Sequence, residues 1–177
     1  MKKPQPQQTY SELHNKAVRL YRKSALFLLW AGIISLLAVV LGLFQQNSGY
    51  AMSLAVNILL NRLLLQLGLP GYAYNLLIVA VAIASGALFS ALGYFAQLGK
   101  KLFLFIGLGL YLADFAVVFI VYEPIWTSEY GITIATHLII LGALFVAVYQ
   151  YYKVIVIEER FHGRRTLNLD EEDNRDK

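Results

Sequence analysis

The chain has 177 residues, of which 58% are hydrophobic and 15% are charged, and its formal net charge is +4. Four apolar stretches of about twenty residues occupy so much of this length that no sizeable soluble domain can be built from the rest. Cysteine is absent, which excludes disulfides, thiolate metal sites and thiol catalysis. The basic residues adjoin the apolar stretches, so the expected partner of this charge is the lipid bilayer and its anionic headgroups, and not nucleic acid.

The first 23 residues are predicted to lie in the cytoplasm and to have two parts. Residues 1–8 are polar and include two prolines, which predicts disorder. Apolar residues recur at helical spacing from Tyr10 onward with basic residues around them, which predicts an amphipathic helix on the membrane surface. The alternative is a first span that continues into water as one helix. Three basic residues here are expected to contact headgroups: Arg19, Arg22 and Lys23.

Four stretches are long and apolar enough to be transmembrane helices. They cover residues 24–44, 76–96, 102–122 and 132–152. As a helix each is about 30 Å long, the thickness of the hydrocarbon core of a bilayer. Short connections make neighbouring spans antiparallel, so residues 24–152 should form an all-α, integral-membrane four-helix bundle. The last helix should continue past residue 152 and stop near Gly163, before a charged, disordered cytoplasmic tail; residues 153–177 make up this C-terminal part.

The distribution of basic residues predicts the orientation of the spans. If both termini are cytoplasmic, six Lys and Arg residues precede the first span, two lie between the second and third, and six follow the fourth. That places 14 of the 15 on the cytoplasmic side and leaves only Arg62 outside. The positive-inside rule therefore predicts that both termini are cytoplasmic. Lys100 and Lys101, in the turn between the second and third spans, are also expected to contact headgroups.

The segment 51–67 is apolar but carries polar residues: Asn57, Asn61, Arg62 and Gln66. A fifth span here would reverse every later segment and divide the basic residues about evenly between the two sides. An arginine and three amides in the middle of a membrane would also cost several kcal/mol. We therefore expect an amphipathic helix at the outer interface, with a shallow re-entrant segment as the alternative.

Two ionisable residues lie at membrane depth, where such residues are expensive unless paired. Asp114 is about 12 Å below the outer end of the third span, and His137 is about 8 Å below the start of the fourth. Because these spans are antiparallel neighbours, the two side chains should meet. Tyr111 lies three residues before Asp114 on the same face, so we predict a buried polar cluster of Asp114, His137 and Tyr111. Its role is either functional, as a proton relay or substrate contact, or structural, as a bond that fixes helix register.

Small residues at helical spacing in the last three spans indicate close helix packing, within the chain or against another protein. They are Ala82, Gly86, Ser90, Gly93, Gly107, Gly109, Ala113, Gly142, Ala143 and Ala147. The serines of the second span, Ser85 and Ser90, are candidates for serine catalysis, but their small neighbours favour packing. We predict no catalytic residue, no cofactor and no metal site. Catalytic zinc needs three protein ligands, and the other two histidines lie on the cytoplasmic side, away from His137.

The C-terminal half contains a spaced series of glycine, lysine, tyrosine, aspartate and histidine residues. The series is Gly99-Lys100-Lys101, Gly107, Tyr111, Asp114 and His137. It resembles a pattern in small uncharacterised bacterial inner-membrane proteins with four transmembrane helices. The resemblance implies location in a bacterial inner membrane and implies no particular activity.

Three functional hypotheses follow. The first is a non-enzymatic accessory, scaffold or regulatory subunit that acts through helix–helix contacts with another membrane protein or with a second copy of itself. The second is a small oligomeric transporter or channel that uses the Asp114/His137 pair. The third is a lipid-modifying membrane enzyme whose site opens beneath the helix at 51–67.

Overall fold

The structure is a computed structural model that describes residues 10–45, 53–121 and 128–162. It contains five helices: α1 (Tyr10–Gln45), α2 (Ala55–Gln66), α3 (Gly71–Gln97), α4 (Lys101–Val121) and α5 (Ser128–His162). All but α2 are long and apolar enough to cross a membrane, so the chain is an all-α membrane bundle, as predicted. The predictions of disorder for residues 1–8 and for the C-terminal tail lie outside the described residues.

The four long helices form a ring in the order α1, α3, α4, α5, in which each helix packs against two antiparallel neighbours. The turn from α3 to α4 lies at one end of this ring, and Gly99 takes a positive φ of 89° there. We call it the basic end, because every Lys and Arg of the described residues except Arg62 is located there. The other end, next to α2, is called the α2 end.

The contact between α1 and α3 is close because glycines remove side chains from it. A Cβ atom on Gly93 would lie 2.2 Å from the backbone nitrogen of Leu29, and one on Gly86 would lie 3.0 Å from the carbonyl oxygen of Gly32. Ser90 Oγ donates a hydrogen bond of 3.3 Å to the Leu29 carbonyl. Gly86, Ser90 and Gly93 therefore serve packing within the chain. Gly32, which no sequence pattern singled out, lies opposite them on α1.

The other small residues divide into two groups. Those buried within the chain are Ala82, Gly107 and Ala147. Those exposed on the surface of the bundle are Gly109, Ala113 and Gly142, and Ala143 is half-buried. A Cβ atom on Gly109 or Gly142 would meet no other atom within contact distance. These exposed positions do not serve packing inside this chain.

The starting segment of α1 packs on protein and is not a separate surface helix. Residues 10–23 and the first span form one continuous helix of 36 residues. This is the alternative considered from the sequence, in which the first span continues beyond the membrane. α5 also extends to His162, as predicted, and runs beside them. Ala17 and Val18 pack on Val154 and Ile157 of α5, so a neighbouring helix covers the apolar face that the sequence suggested for lipid.

α2 enters the bundle with its first turn and leaves it with its last. The residues around its start, from Ser53 to Ile58, are all buried except for the half-buried Val56. Leu65 and Leu67 at its end are exposed. These contacts agree with a re-entrant segment and not with a helix flat on the interface, because a flat helix would leave its first turn outside the ring.

The two kinds of glycine predict opposite effects of the same substitution. Gly93→Ala should lower the free energy of unfolding by about 1–3 kcal/mol, because its new methyl group meets the backbone of α1. Gly109→Ala, in open space, should raise it by up to about 1 kcal/mol, because alanine favours a helix interior more than glycine does. Reversible unfolding in detergent micelles measures both. Equal destabilisation by the two variants would contradict the packing described for α1 and α3.

Candidate functional site at the buried start of α2

The carboxylate of Asp114 on α4 accepts hydrogen bonds from the first turn of α2. Ala55 N–H donates to Oδ2 at 3.1 Å and Val56 N–H donates to Oδ1 at 2.9 Å. The residue at the local N-cap position is Leu54, whose side chain cannot accept a hydrogen bond. Asp114 therefore caps α2 from a neighbouring helix, α4. In most helices this role belongs to an Asp or Ser at the N-cap position itself.

The remaining amides of this turn also have partners. Leu54 N–H donates to Ser35 Oγ at 2.8 Å, and Asn57 N–H donates to the Leu54 carbonyl at 3.0 Å. A helix start leaves four amides without intrahelical acceptors. With the two that bond Asp114, all four are satisfied here. Backbone groups away from water are stable only under this condition.

The Asn57 side chain joins α2 to two other helices. Its Nδ2 donates to Ser35 Oγ of α1 at 2.9 Å, and its Oδ1 accepts a hydrogen bond from Ser85 Oγ of α3 at 2.9 Å. Asn57 is completely buried, so these bonds replace water as its partners. Ser85 thus has a bonding role in α2 docking, and Ser35 is a member of the site that the sequence did not indicate.

His137 of α5 completes the surroundings of Asp114. Its Nε2 lies 3.0 Å from Asp114 Oδ2, and both side chains are 3% exposed. Its Nδ1 lies 2.8 Å from the Thr133 carbonyl, which can only accept, so Nδ1 carries a hydrogen. The short Nε2–Oδ2 contact then requires a second hydrogen between the two residues. Asp114 and His137 together hold that proton, and the pair as a whole is neutral.

Aromatic rings fix the position of the imidazole. The ring of Tyr111 stacks on His137 with 5.3 Å between centroids, and the ring of Phe115 does so with 5.8 Å. Tyr111 also makes an edge contact with Phe89 of α3 at 5.9 Å. The structure thus places Tyr111, Asp114 and His137 together, with Tyr111 contributing stacking to the cluster.

The other end of α2 is also attached to α4. The guanidinium of Arg62 donates to the carbonyl of Val121, the last residue of α4, which has no basic residue in its own last turn. Seven residues separate Ala55 from Arg62, and seven separate Asp114 from Val121, a rise of about 10 Å on each helix. α2 and α4 therefore run side by side in the same direction. α4 supplies an anion to the positive end of α2, and α2 supplies a cation to the negative end of α4.

All four long helices contribute a polar side chain at a similar depth. These side chains are Ser35, Ser85, Asp114 and His137. Ser35, Asp114 and His137 lie about 10–15 Å from the ends of their helices, which is a third to a half of the thickness of a bilayer core. α2 therefore begins deep in the bundle.

A narrow pocket lies beside His137 and the residues that directly precede α2. Its volume is about 10 Å³, room for about one water molecule. The lining residues are Ala31, Ile34, Ser53, Leu54, Tyr111, Thr136, His137 and Ile140. The histidine that holds the shared proton thus borders a space between α1 and α5.

The residues expected to contact headgroups are all located at the basic end. Arg19, Lys23, Lys100 and Lys101 are exposed, and Arg22 is half-buried. Lys100 Nζ lies 5.1 Å above the ring of Phe95, so this turn also carries a cation–π contact. Within residues 10–45, 53–121 and 128–162, no three His, Asp or Glu side chains are grouped so as to hold a metal ion.

No protein-family model matches the chain. No curated protein is similar to it. No solved structure matches its fold. The site must therefore be interpreted from its own geometry.

The capping role of Asp114 predicts chemical rescue. Asp114→Gly should lower the free energy of unfolding by about 3 kcal/mol, because it removes the partner of two amides and of a buried imidazole. Formate or acetate should restore much of this loss by occupying the vacated carboxylate position. The measurement is unfolding in detergent with formate and with an equal concentration of chloride.

Ala113→Gly is the matched control, since it puts the same flexible residue at an exposed neighbouring position. It should cost about 1 kcal/mol and show no response to formate. A formate response of equal size in both variants would contradict a specific carboxylate site.

Proposed function

We propose that the chain is a non-enzymatic subunit of a membrane assembly, acting as an accessory, scaffold or regulatory protein through helix–helix contacts. The observation that carries this proposal is the saturation of Asp114. Its carboxylate accepts two amide hydrogen bonds from α2 and pairs with His137 of α5. The most expensive group in the bundle is thus used to join three elements, as expected of a structural bond that sets helix register.

The exposed small residues suggest where a partner helix would pack. Gly109 and Ala113 lie one turn apart on the surface of α4, and Gly142 is exposed on α5. Without a side chain at position 109, another helix can approach the backbone closely, which favours association in lipid. The partner is another membrane protein or a second copy of the chain.

This proposal predicts that filling the α4 surface weakens association without weakening the fold. Gly109→Leu combined with Ala113→Leu should reduce the associated fraction about tenfold, while the free energy of unfolding in detergent does not fall. Native mass spectrometry from nanodiscs measures homo-oligomers, and quantitative co-purification from membranes measures other partners.

Ala84→Leu is the matched control, because Ala84 is equally a small exposed residue but lies on α3. An equal loss of association in this control would show that the α4 surface has no special role. A wild-type protein that stays strictly monomeric and without partners would contradict the proposal itself.

The second candidate is a small oligomeric transporter or channel, and the pocket beside His137 favours it. A shared proton next to a space for about one water molecule has the elements of a proton path. Four spans are few for a pathway within one chain, so this function needs several copies.

Proton-linked transport predicts a flux in liposomes that depends on pH and is abolished by Asp114→Asn. His14→Gln is the control, because His14 also pairs with a carboxylate, Glu158, but at the basic end. Flux that persists unchanged in Asp114→Asn would remove the reason for this candidate.

The reason for the third hypothesis, a lipid-modifying enzyme, was a helix lying above the polar cluster. The first turn of α2 instead bonds to the cluster directly, so we do not propose this activity. For location, we propose the bacterial inner membrane with both termini in the cytoplasm. The asymmetry of the basic residues supports the orientation, and the resemblance of the C-terminal half supports the compartment.

A further inference from the structure

We propose that Asp114 is a proton-binding site that controls whether the first turn of α2 stays inside the bundle. Its ligand is a proton taken up by the carboxylate in addition to the one already shared with His137. This inference concerns the movement of α2 and stands independently of the scaffold proposal.

The hydrogen bonds between Asp114 and α2 are strong because the carboxylate is ionised. Both carboxylate oxygens accept amide hydrogen bonds, at 3.1 Å from Ala55 and 2.9 Å from Val56. Hydrogen bonds to an ionised acceptor are about twice as strong as those to a neutral one. A proton on Asp114 weakens both bonds and uses one oxygen as a donor.

Protonation of Asp114 leaves positive charge without an anionic partner. The start of α2 carries the positive end of its helix dipole, and it faces the same carboxylate as His137. When Asp114 becomes neutral, the imidazolium and the helix start are two positive groups with no anion between them. They repel each other in a medium of low dielectric constant.

Among the side chains that the structure describes, no other anion can take the place of Asp114. α1 and α3 contribute hydroxyls to this region, from Ser35 and Ser85. α2 contributes Arg62, a second positive charge, near the end of α4. The uncharged ring of Tyr111 stacks on the imidazole. Asp114 is therefore the one described acidic side chain that faces the start of α2.

When α2 is released from Asp114, it has a second stable location at the membrane interface. Leu63, Leu65 and Leu67 of the α2 segment are already exposed, and Arg62 and Gln66 lie among them. Such a helix is suited to the membrane interface. The re-entrant segment and the interfacial helix, the two placements that the sequence allows for residues 51–67, are thus two states of this segment. Protonation of Asp114 shifts the population toward the interfacial state.

Single cysteines in a chain that has none of its own test this proposal. Ile58→Cys on α2 reports undocking, because Ile58 is 6% exposed, and Leu65→Cys, at 60% exposure, is the reference on the same helix. Both variants are labelled with an uncharged maleimide, and the labelling rate of Ile58→Cys is divided by that of Leu65→Cys. This ratio cancels the pH dependence that both thiols share. In lipid nanodiscs the ratio should rise about tenfold between about pH 7 and pH 3, because partners that favour the Asp114 anion move its protonation to acidic pH. In Asp114→Asn it should be high at every pH.

Two controls keep the interpretation specific. Ala147→Cys, buried in the main core, should remain protected throughout, and labelling there at low pH would mean general unfolding and would overturn the proposal. His14→Gln removes the other His–carboxylate pair and should leave the pH response of Ile58→Cys intact. The proposal is also overturned if the wild-type ratio is independent of pH, or if Ile58→Cys in folded Asp114→Asn is as protected as in the wild type.

Discussion

A helix that starts inside a membrane bundle must find acceptors for its first amides, and the rest of this structure depends on that constraint. α2 begins at Ala55 after Leu54, both residues are buried, and neither side chain can cap a helix. The required anion comes from Asp114 on a different helix, and the remaining acceptors come from Ser35 and from the turn itself. Because the Asp114 carboxylate is buried in this position, its charge is balanced by His137, and the rings of Tyr111 and Phe115 stack on the imidazole.

The ring of four helices is shaped to admit this short helix. α3 and α4 meet at their turn, where Phe95 and Phe103 lie 4.8 Å apart, and α2 packs on both of them at the other end. α1 packs tightly on α3 through glycines, and it packs on α5 along the basic end. The bundle is therefore asymmetric along its axis, because α2 packs on α3 and α4 at one end, and at the other end the long helices contact one another directly.

Sequence patterns were sufficient for the spans, because a bilayer requires about twenty apolar residues and little else. They also predicted that Asp114 lies next to His137. A short connection makes the two spans antiparallel neighbours, so the number of residues from the ends of each span gives the depth of each side chain. The acceptor role of Asp114 toward α2 was not accessible in this way. Backbone amides of Ala55 and Val56 have no signature in a sequence, and their partner is 59 and 58 residues away. Ser35 was equally hidden, as a single hydroxyl in an apolar run. The polar residues that argued against a fifth span, Asn57 and Arg62, are in fact paired with groups on other helices.

The separation in sequence between α2 and its cap has a consequence for the order in which the protein is made. A ribosome synthesises α2 well before α4 and α5, so the segment enters the membrane when neither Asp114 nor His137 exists. During that interval the amides of Ala55 and Val56 lack the acceptor that they have in the docked state. The docked position of α2 thus becomes available only after α4 and the first part of α5 have been made, although α2 is the second helix of the chain. Docking of α2 therefore depends on a carboxylate that is made 58 residues after the amide of Val56.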